Sequence, residues 1–245
     1  MTLGAMQPYF FPYLGYFDLI NSVDRWIVAD TMQYMRHGWV NRNRVLHQAS
    51  GWQYILVPVR KHPLQTAIRD VVICEATDWR LRIRKQIDHY RTRAPFFRDV
   101  MELVDACLAC REVSLSRLNV WALARVCEYL AIPFEPTFLA EMNLRLDPVE
   151  DPGDWAIRIS QAVGARAYVN PPGGAALYDP ARFAEVGIRL TIKPLVDFRY
   201  DCRPYEFIPS LSMVDVLMWN APSRVKAYLD ERRAATTHAA DQGTP

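Results

Sequence analysis

The chain has 245 residues, of which 51% are hydrophobic and 23% charged. These values lie near the globular averages, so neither a disordered nor a membrane class is indicated, and the length suggests one large domain or two closely packed halves. The formal net charge is +2 with acids and bases interleaved, which removes the basic field that drives binding to phosphate backbones, so direct nucleic-acid binding is not expected.

No apolar run approaches the ~20 residues of a membrane span, and no basic flank precedes an apolar signal segment, so a cytoplasmic location is expected. The five cysteines, Cys74, Cys107, Cys110, Cys127 and Cys202, show no framework spacing and read as reduced thiols. Cys107 and Cys110 form C-x-x-C inside an apolar helical pattern, where core packing explains them better than redox chemistry. The histidines are scattered, so neither a metal nor a cofactor is expected.

In chain order, Leu3–Met6 is a strand, Gln7–Pro12 an aromatic, proline-rich loop and Leu14–Ser22 a helix. Arg25–Ala29 reads as a buried strand ending at Asp30, and the polar stretch Thr31–Arg44 as a loop. Strands are expected at Tyr54–Val59 and Val71–Cys74, then a helix from Trp79 to about Thr92 capped by Asp78. The basic stretch Arg80–Arg93 reads as a solvated helix face. Phe96–Cys110 and Ser114–Leu130 continue the helical middle, with Ser114 or Ser116 as cap.

Pro133–Leu139 reads as a strand, Asp154–Val163 as a helix stopped by Gly164, and Ala167–Asn170 as a strand. After the sharp Asn170-Pro171-Pro172-Gly173-Gly174 loop come a short helix at Pro180–Val186 and a strand at Ile188–Pro194. A last helix spans Ser212–Trp219, capped by Ser212 or Ser210, and the polar end after Arg233 is expected to fray. This alternation predicts an α/β fold: a mostly parallel sheet flanked by helices, with a helical middle segment. We expect a single domain over 1–235, a possible helical subdomain at 79–131, and a flexible tail at 236–245.

Ligands of such sheets lie beyond the carboxyl ends of the strands. Three segments fall there: Gln7–Tyr16, Asp30–Arg44 and Asn170–Tyr178. In the first, two prolines stiffen a loop that presents the Gln7 amide and the phenols of Tyr9, Tyr13 and Tyr16. The alternative, an aromatic core plug, accounts for Phe10, Phe11 and Phe17 but poorly for Gln7 and the tyrosines, which need partners when buried. In the second, Asn41, Arg42, Asn43 and Arg44, with Arg36, Gln33 and Trp39, form a dense donor set for carboxylate, phosphate or sugar hydroxyls. If the backbone is extended, Asn41 and Asn43 share one side and Arg42 and Arg44 the other, so only one pair can face a ligand. A salt-bridged loop is the structural alternative. Glycine-rich nucleotide loops, Gly-x-Ser-x-Gly and His-Glu-x-x-His are absent. Cys202 lies in a polar stretch with no histidine nearby.

These segments resemble the WbqC-like family over nearly the whole chain. The resemblance rests on Met6-Gln7-Pro8-Tyr9-Phe10-Phe11-Pro12-Tyr13-Leu14-Gly15-Tyr16-Phe17, on Gly38-Trp39-Val40-Asn41-Arg42-Asn43-Arg44, on Ala167-Tyr168-Val169-Asn170 with Tyr178, and on Phe207-Ile208-Pro209-Ser210-Leu211-Ser212-Met213-Val214-Asp215. Phe11-Pro12 with Gly15 also resembles the phosphate-binding loop of HIGH-type nucleotidyltransferases, without its histidines. Asp30-Thr31 stands where the family usually has two adjacent acids, and Tyr200-Asp201-Cys202 where Tyr-x-Gln is usual.

The resemblance, to a family found among polysaccharide, O-antigen and natural-product genes, implies a place in such assembly more than a reaction; the reaction expected is a transferase that passes an acyl or aminoacyl group to an amine such as a nucleotide- or carrier-linked amino sugar. On that expectation Asp30 or Asp215 is the general base and Gln7 and Asn41 orient the acceptor. Arg42 and Arg44, assisted by Gln33, Arg36, Trp39 and Asn43, bind the charged group. Tyr13, Tyr16, Tyr168, Asn170, Tyr178 and Ser212 shape the pocket for a small-molecule substrate. A non-catalytic sugar-nucleotide-binding scaffold and a diverged nucleotidyltransferase remain open.

Overall fold

The computed structural model describes residues 1–144 and 153–242. Its strands are β1 (Thr2–Met6), β2 (Arg25–Val28), β3 (Arg42–Leu46), β4 (Trp52–Leu56), β5 (Pro136–Phe138), β6 (Ala167–Asn170) and β7 (Arg189–Ile192). Five of them form one parallel sheet in the order β5-β2-β1-β6-β7, while β3 and β4 pair separately as an antiparallel hairpin. The helices are α1 (Leu14–Asn21), α2 (Trp79–Ile87), α3 (Phe97–Leu108), α4 (Leu115–Tyr129), α5 (Asp154–Ala162), α6 (Pro180–Glu185), α7 (Met213–Trp219) and α8 (Pro222–Gln242). The fold is thus α/β with helices flanking a parallel sheet, as the alternation predicts.

Side-chain alternation along the short strands builds two cores. Trp26 and Val28 of β2 and Val169 of β6 face a large apolar cluster shared by α1, the helical middle and α7. Leu3, Ile27 and Tyr168 face the opposite way, onto α5 and Phe183 of α6. Both faces of the sheet are therefore covered, which is why its strands read as short continuous apolar runs. Buried side chains of segment 79–131, among them Trp79, Val104 and Leu123, contribute to the first of these clusters.

Caps decide several helix starts. The Asp78 carboxylate accepts from the Leu81 amide at 2.9 Å, Ser114 from Arg117 at 3.4 Å, Asp179 from Ala181 at 2.9 Å and Ser212 from Val214 at 3.2 Å. Ser116 and Ser210, the other two candidates, cap nothing: Ser116 is buried within α4 and Ser210 precedes the helix.

Four differences from the sequence reading have physical causes. The end of the Thr31–Arg44 loop is strand β3, because the asparagines on its inner side find backbone partners and Val45 and Leu46 continue into the core. Val71–Cys74 makes only isolated pairings, Val72 with Ser114 and Val59 with Ile73. The α-helix begun at Trp79 ends at Ile87 and tightens into a 3-10 turn over Asp88–Thr92. Beyond Arg233 the backbone stays helical as far as Gln242. Helix α8 was missed because its polar sequence lacks an apolar stripe; it is anchored by buried Val225 and Leu229 and by ionic contacts to α1. Arg232 Nε donates to Asp18 Oδ2 at 3.0 Å, and Lys193 Nζ to Asp18 Oδ1 at 2.8 Å.

Asn119 is the polar centre of the large core. Fully enclosed on α4, it donates to the carbonyls of Pro8 at 2.8 Å and Val40 at 2.6 Å, joining the first loop to the approach of β3. Asn119→Leu would orphan both carbonyls, at about 1–3 kcal/mol each. We expect a fall in thermal midpoint of roughly 5–15 °C, measured by circular dichroism; an unchanged midpoint would show that the clamp is dispensable.

Candidate functional site

Strand order runs one way from β1 through β2 to β5 and the other way through β6 to β7, so the chain reverses between β1 and β6. At such a point the loops leaving the two central strands diverge and open a crevice at the carboxyl edge of the sheet. Those loops are Gln7–Tyr13 and Asn170–Tyr178, two of the three segments that the sequence singles out. Gln7 is half-buried; its carbonyl accepts from the Tyr16 phenol at 2.9 Å, while no described residue hydrogen-bonds its side-chain amide.

Asp30 ends β2 at the same edge. Its carboxylate is almost enclosed, and Oδ1 accepts the Ala140 amide at 3.1 Å across the end of β5. Burial raises its pKa above the ordinary carboxylate value, against the opposing pull of the Ala140 N–H and the Arg69 charge. The neighbouring Thr31 hydroxyl is shielded from solvent and has no partner. On the other side of β1, Tyr178 donates to Asn170 Oδ1 at 3.4 Å and Asn170 Nδ2 to the Pro171 carbonyl at 3.1 Å. Gly174 permits this turn, since a Cβ there would lie 2.5 Å from Asn170 Nδ2.

Several residues expected to touch substrate are instead engaged within the protein. Asn41 donates to the Val57 carbonyl at 3.0 Å; Asn43 donates to the Phe10 carbonyl at 3.2 Å and accepts the Arg44 amide at 2.8 Å. Ser212 is fully enclosed and donates its hydroxyl to the Phe11 carbonyl at 2.8 Å. Tyr16 is sealed among Tyr9, Phe17 and Trp26. Tyr168, nearly as buried, donates to the Ala5 carbonyl at 3.2 Å. These groups position the loops rather than line a cavity.

On β3 the predicted division holds, with Asn43 turned inward and the two guanidiniums outward. Arg42 lies 4.1 Å over the Tyr54 ring and donates to the His37 and Gly38 carbonyls. Arg44 sits 5.4 Å from the Trp39 ring and 5.3 Å from the Trp52 ring, and donates to the Ser210 carbonyl at 3.2 Å. Ser210 belongs to a small cleft also lined by Tyr13, Tyr200 and Phe207. Tyr13 and Arg44 therefore converge there, away from the inward amides. Gln33 and Arg36 are exposed, with Gln33 Nε2 held by the Leu64 carbonyl at 2.8 Å.

Asp215, fully enclosed on α7, accepts from the phenols of Tyr90 and Tyr200, the latter at 2.6 Å. Burial pushes its pKa up to about 6 despite both donors. Sequence reasoning missed Asn119, Tyr90 and Tyr200; a polar residue on an otherwise apolar helix stripe was the available signal for the first. Burial raises the Cys107 thiol to about 12 and Cys202 to about 11, so neither is an activated nucleophile in this state.

The sequence pattern of the WbqC-like protein family matches residues 7–227. A relative, the uncharacterized protein Rv1507c of Mycobacterium tuberculosis, is 32% identical over 235 residues, covering 93% of this chain and 96% of its own. No solved structure matches. Among the described residues no helix is long and apolar enough to cross a membrane, and no group of three or more His, Cys, Asp or Glu side chains could hold a metal ion.

The Asp215 cluster generates a pH test. The folded pKa, about 6, lies above the ordinary 3.8, so its contribution to stability is full below pH 3.8 and is lost as pH rises through about 6. The loss is on the order of 3 kcal/mol. Asp215→Asn should remove this slope, because an amide does not titrate across this range. Urea unfolding at pH 4, 5.5 and 7 measures it; parallel curves for the two proteins would refute the assignment.

Proposed function

The chain belongs to the WbqC-like family, and from that premise we propose that it is a transferase of sugar or natural-product assembly, passing an acyl or aminoacyl group to an amine on a nucleotide- or carrier-linked sugar. The observation that carries this reading is the pairing of Asp30 with Gln7 at the carboxyl edge of the sheet. A nearly enclosed carboxylate whose pKa is raised attracts an incoming ammonium and is a stronger proton acceptor than a solvated one. A half-buried amide without a protein partner can both donate to and accept from an acceptor sugar.

In this reading the acceptor enters between the loops after β1 and β6. Gln7 orients it, Tyr178 offers a ring face and a phenol, and Asp30 takes a proton from the ammonium so that the free amine attacks the acyl carbon; the bond from that carbon to the oxygen or sulfur of the donor's carrier breaks, and the carrier leaves with the proton returned by Asp30. Arg44, at the rim of the Tyr13 cleft, is placed for the charged end of a donor. Asp215 drops out as base, since both its oxygens are engaged by phenols in the interior.

A second reading, a diverged nucleotidyltransferase, is favoured by the strand order, in which β1, β2 and β5 run as the 3-2-1 half of a mononucleotide-binding sheet with the proline loop after its first strand and β6 and β7 continue on the other side. It predicts magnesium-dependent release of pyrophosphate, which the transferase reading does not.

Thermal stabilisation screened with sugar nucleotides, acyl-CoAs and amino acids tests the substrate class, because a ligand at a hundred times its dissociation constant stabilises by about 2.7 kcal/mol. Once a responsive pair is found, Asp30→Asn, which keeps the acceptor oxygen for Ala140, should cut turnover by at least about a hundredfold with the melting midpoint nearly intact. A flat response across the panel, or an Asp30→Asn protein of normal rate, would overturn the proposal.

A further inference from the structure

Helix α2 and the turn after it carry the basic run at 80–93, and their cations fall into two groups. Arg80 pairs with Glu75 at 2.7 Å, Arg91 with Asp88 at 2.5 Å, and Arg84 with Asp105. Arg82 and Lys85 make no ion pair with any described residue. Both line a groove of about 480 Å³, formed where α2 faces the turn of the β3–β4 hairpin. Arg82, Lys85, Gln86 and His89 recur at helical spacing on one face, and His47 enters from the hairpin.

The floor of the groove is fixed. Gln86 Nε2 donates to Gln53 Oε1 at 3.2 Å, and Gln53 Nε2 donates to the Gln86 carbonyl at 3.0 Å. His89 is held through Nδ1 at 2.9 Å from the Gln86 carbonyl, which leaves its Nε2 shielded from water and without a partner. Burial lowers the His89 pKa and the nearby His47 adds to the shift, against the opposing pull of the Gln86 carbonyl and the Asp88 charge, so the ring is neutral with its proton on Nδ1. The one acid of the lining, Asp78, is occupied in capping the helix.

We propose that this groove binds the phosphate group of a small phosphorylated ligand, with Arg82 and Lys85 supplying charge and His47, whose Nδ1 accepts the Ala49 amide at 3.2 Å, supplying an Nε2–H donor. An oxyanion is the ligand that matches two cations without an ion pair and an imidazole N–H lining one concavity, and the volume falls within the ~300–1,000 Å³ of small-molecule sites. The solvated helix face inferred from sequence describes Arg82, Arg84, Lys85 and Arg91, all exposed, and the groove is a concave part of that face. The assignment is independent of the Asp30 site and survives or fails separately from it.

Isothermal titration of the full chain with pyrophosphate and with inorganic phosphate, at constant ionic strength, tests it. Saturable binding is expected for the wild type, weakened at least about tenfold, or about 1.4 kcal/mol, in Arg82→Glu/Lys85→Glu. Arg91→Glu/Arg98→Glu makes the same change in net charge outside the groove and should leave affinity within about threefold. Should the reversal variant fail to fold by circular dichroism, Arg82→Gln/Lys85→Gln serves in its place with the same expected loss. Absence of saturable binding to either probe, equal loss in both charge variants, or binding of an RNA hairpin with no response to the phosphates would each overturn the proposal.

Discussion

The structure depends on a polar junction buried in an otherwise apolar core. Three carbonyls of the proline loop, those of Pro8, Phe10 and Phe11, are each taken by a side chain from a different part of the chain: Asn119, Asn43 and Ser212. The backbone adds to this, with Phe10 N–H bonded to the Trp39 carbonyl at 3.1 Å, Met213 N–H to Pro12 at 2.8 Å and Ser212 N–H to Arg44 at 2.8 Å. A loop interrupted by prolines cannot satisfy its own carbonyls through regular structure, and burying them unpaired would cost about 1–3 kcal/mol each. Side chains imported from the middle and end of the sequence resolve that conflict and fix the geometry of everything that leaves β1.

Two residues at this junction hold unusual backbone conformations. Phe11 has φ 40° and Ser210 φ 56°, a region that L-residues occupy rarely and only when the surroundings over-determine it. Here the surroundings do: Phe11 is enclosed with Phe10 at 4.7 Å, and its carbonyl is held by Ser212. The consequence reaches the sheet edge. With Pro8 to Pro12 immobilised, Gln7 is presented at one location next to the end of β2, without a flexible loop to order on ligand binding. Preorganisation of this kind is what an acceptor site for a small polar molecule requires.

Fold class was legible because both sheet faces are covered, which turns strands into short apolar runs and leaves helices with clear stripes. Strand β3 and helix α8 were not. The first mixes asparagine and arginine and is stabilised by pairing and buried amides rather than by apolar character; the second is held by Asp18, Lys193 and Arg232, whose contacts join positions more than 170 residues apart. Site residues divided in the same way. Asp30, Gln7 and Tyr178 lie at the carboxyl edge of the sheet, as chain order indicates. Asn41, Asn43, Ser212 and Asp215 are polar residues of equal prominence in the sequence that turned out to bond within the protein, because sequence shows a hydrogen-bonding group without showing whether backbone has already claimed it.

That division bears on how the motifs of this chain are interpreted. A polar residue in a dense motif has two reasons to be there: to meet a ligand or to satisfy backbone that the fold has stranded. Burial with a complete set of partners separates them. By that criterion the Asn43 and Ser212 motifs are the mounting of the site, whereas the Gln7 amide and the Arg82–Lys85 pair retain bonding capacity that the described protein does not use. The Gln7 amide lies at the carboxyl edge of the sheet and the Arg82–Lys85 pair in the groove beside α2. Gln7 is half-buried and the two cations are exposed, so water meets their bonding capacity in the free protein, and a concave setting lets a ligand displace that water and take its place.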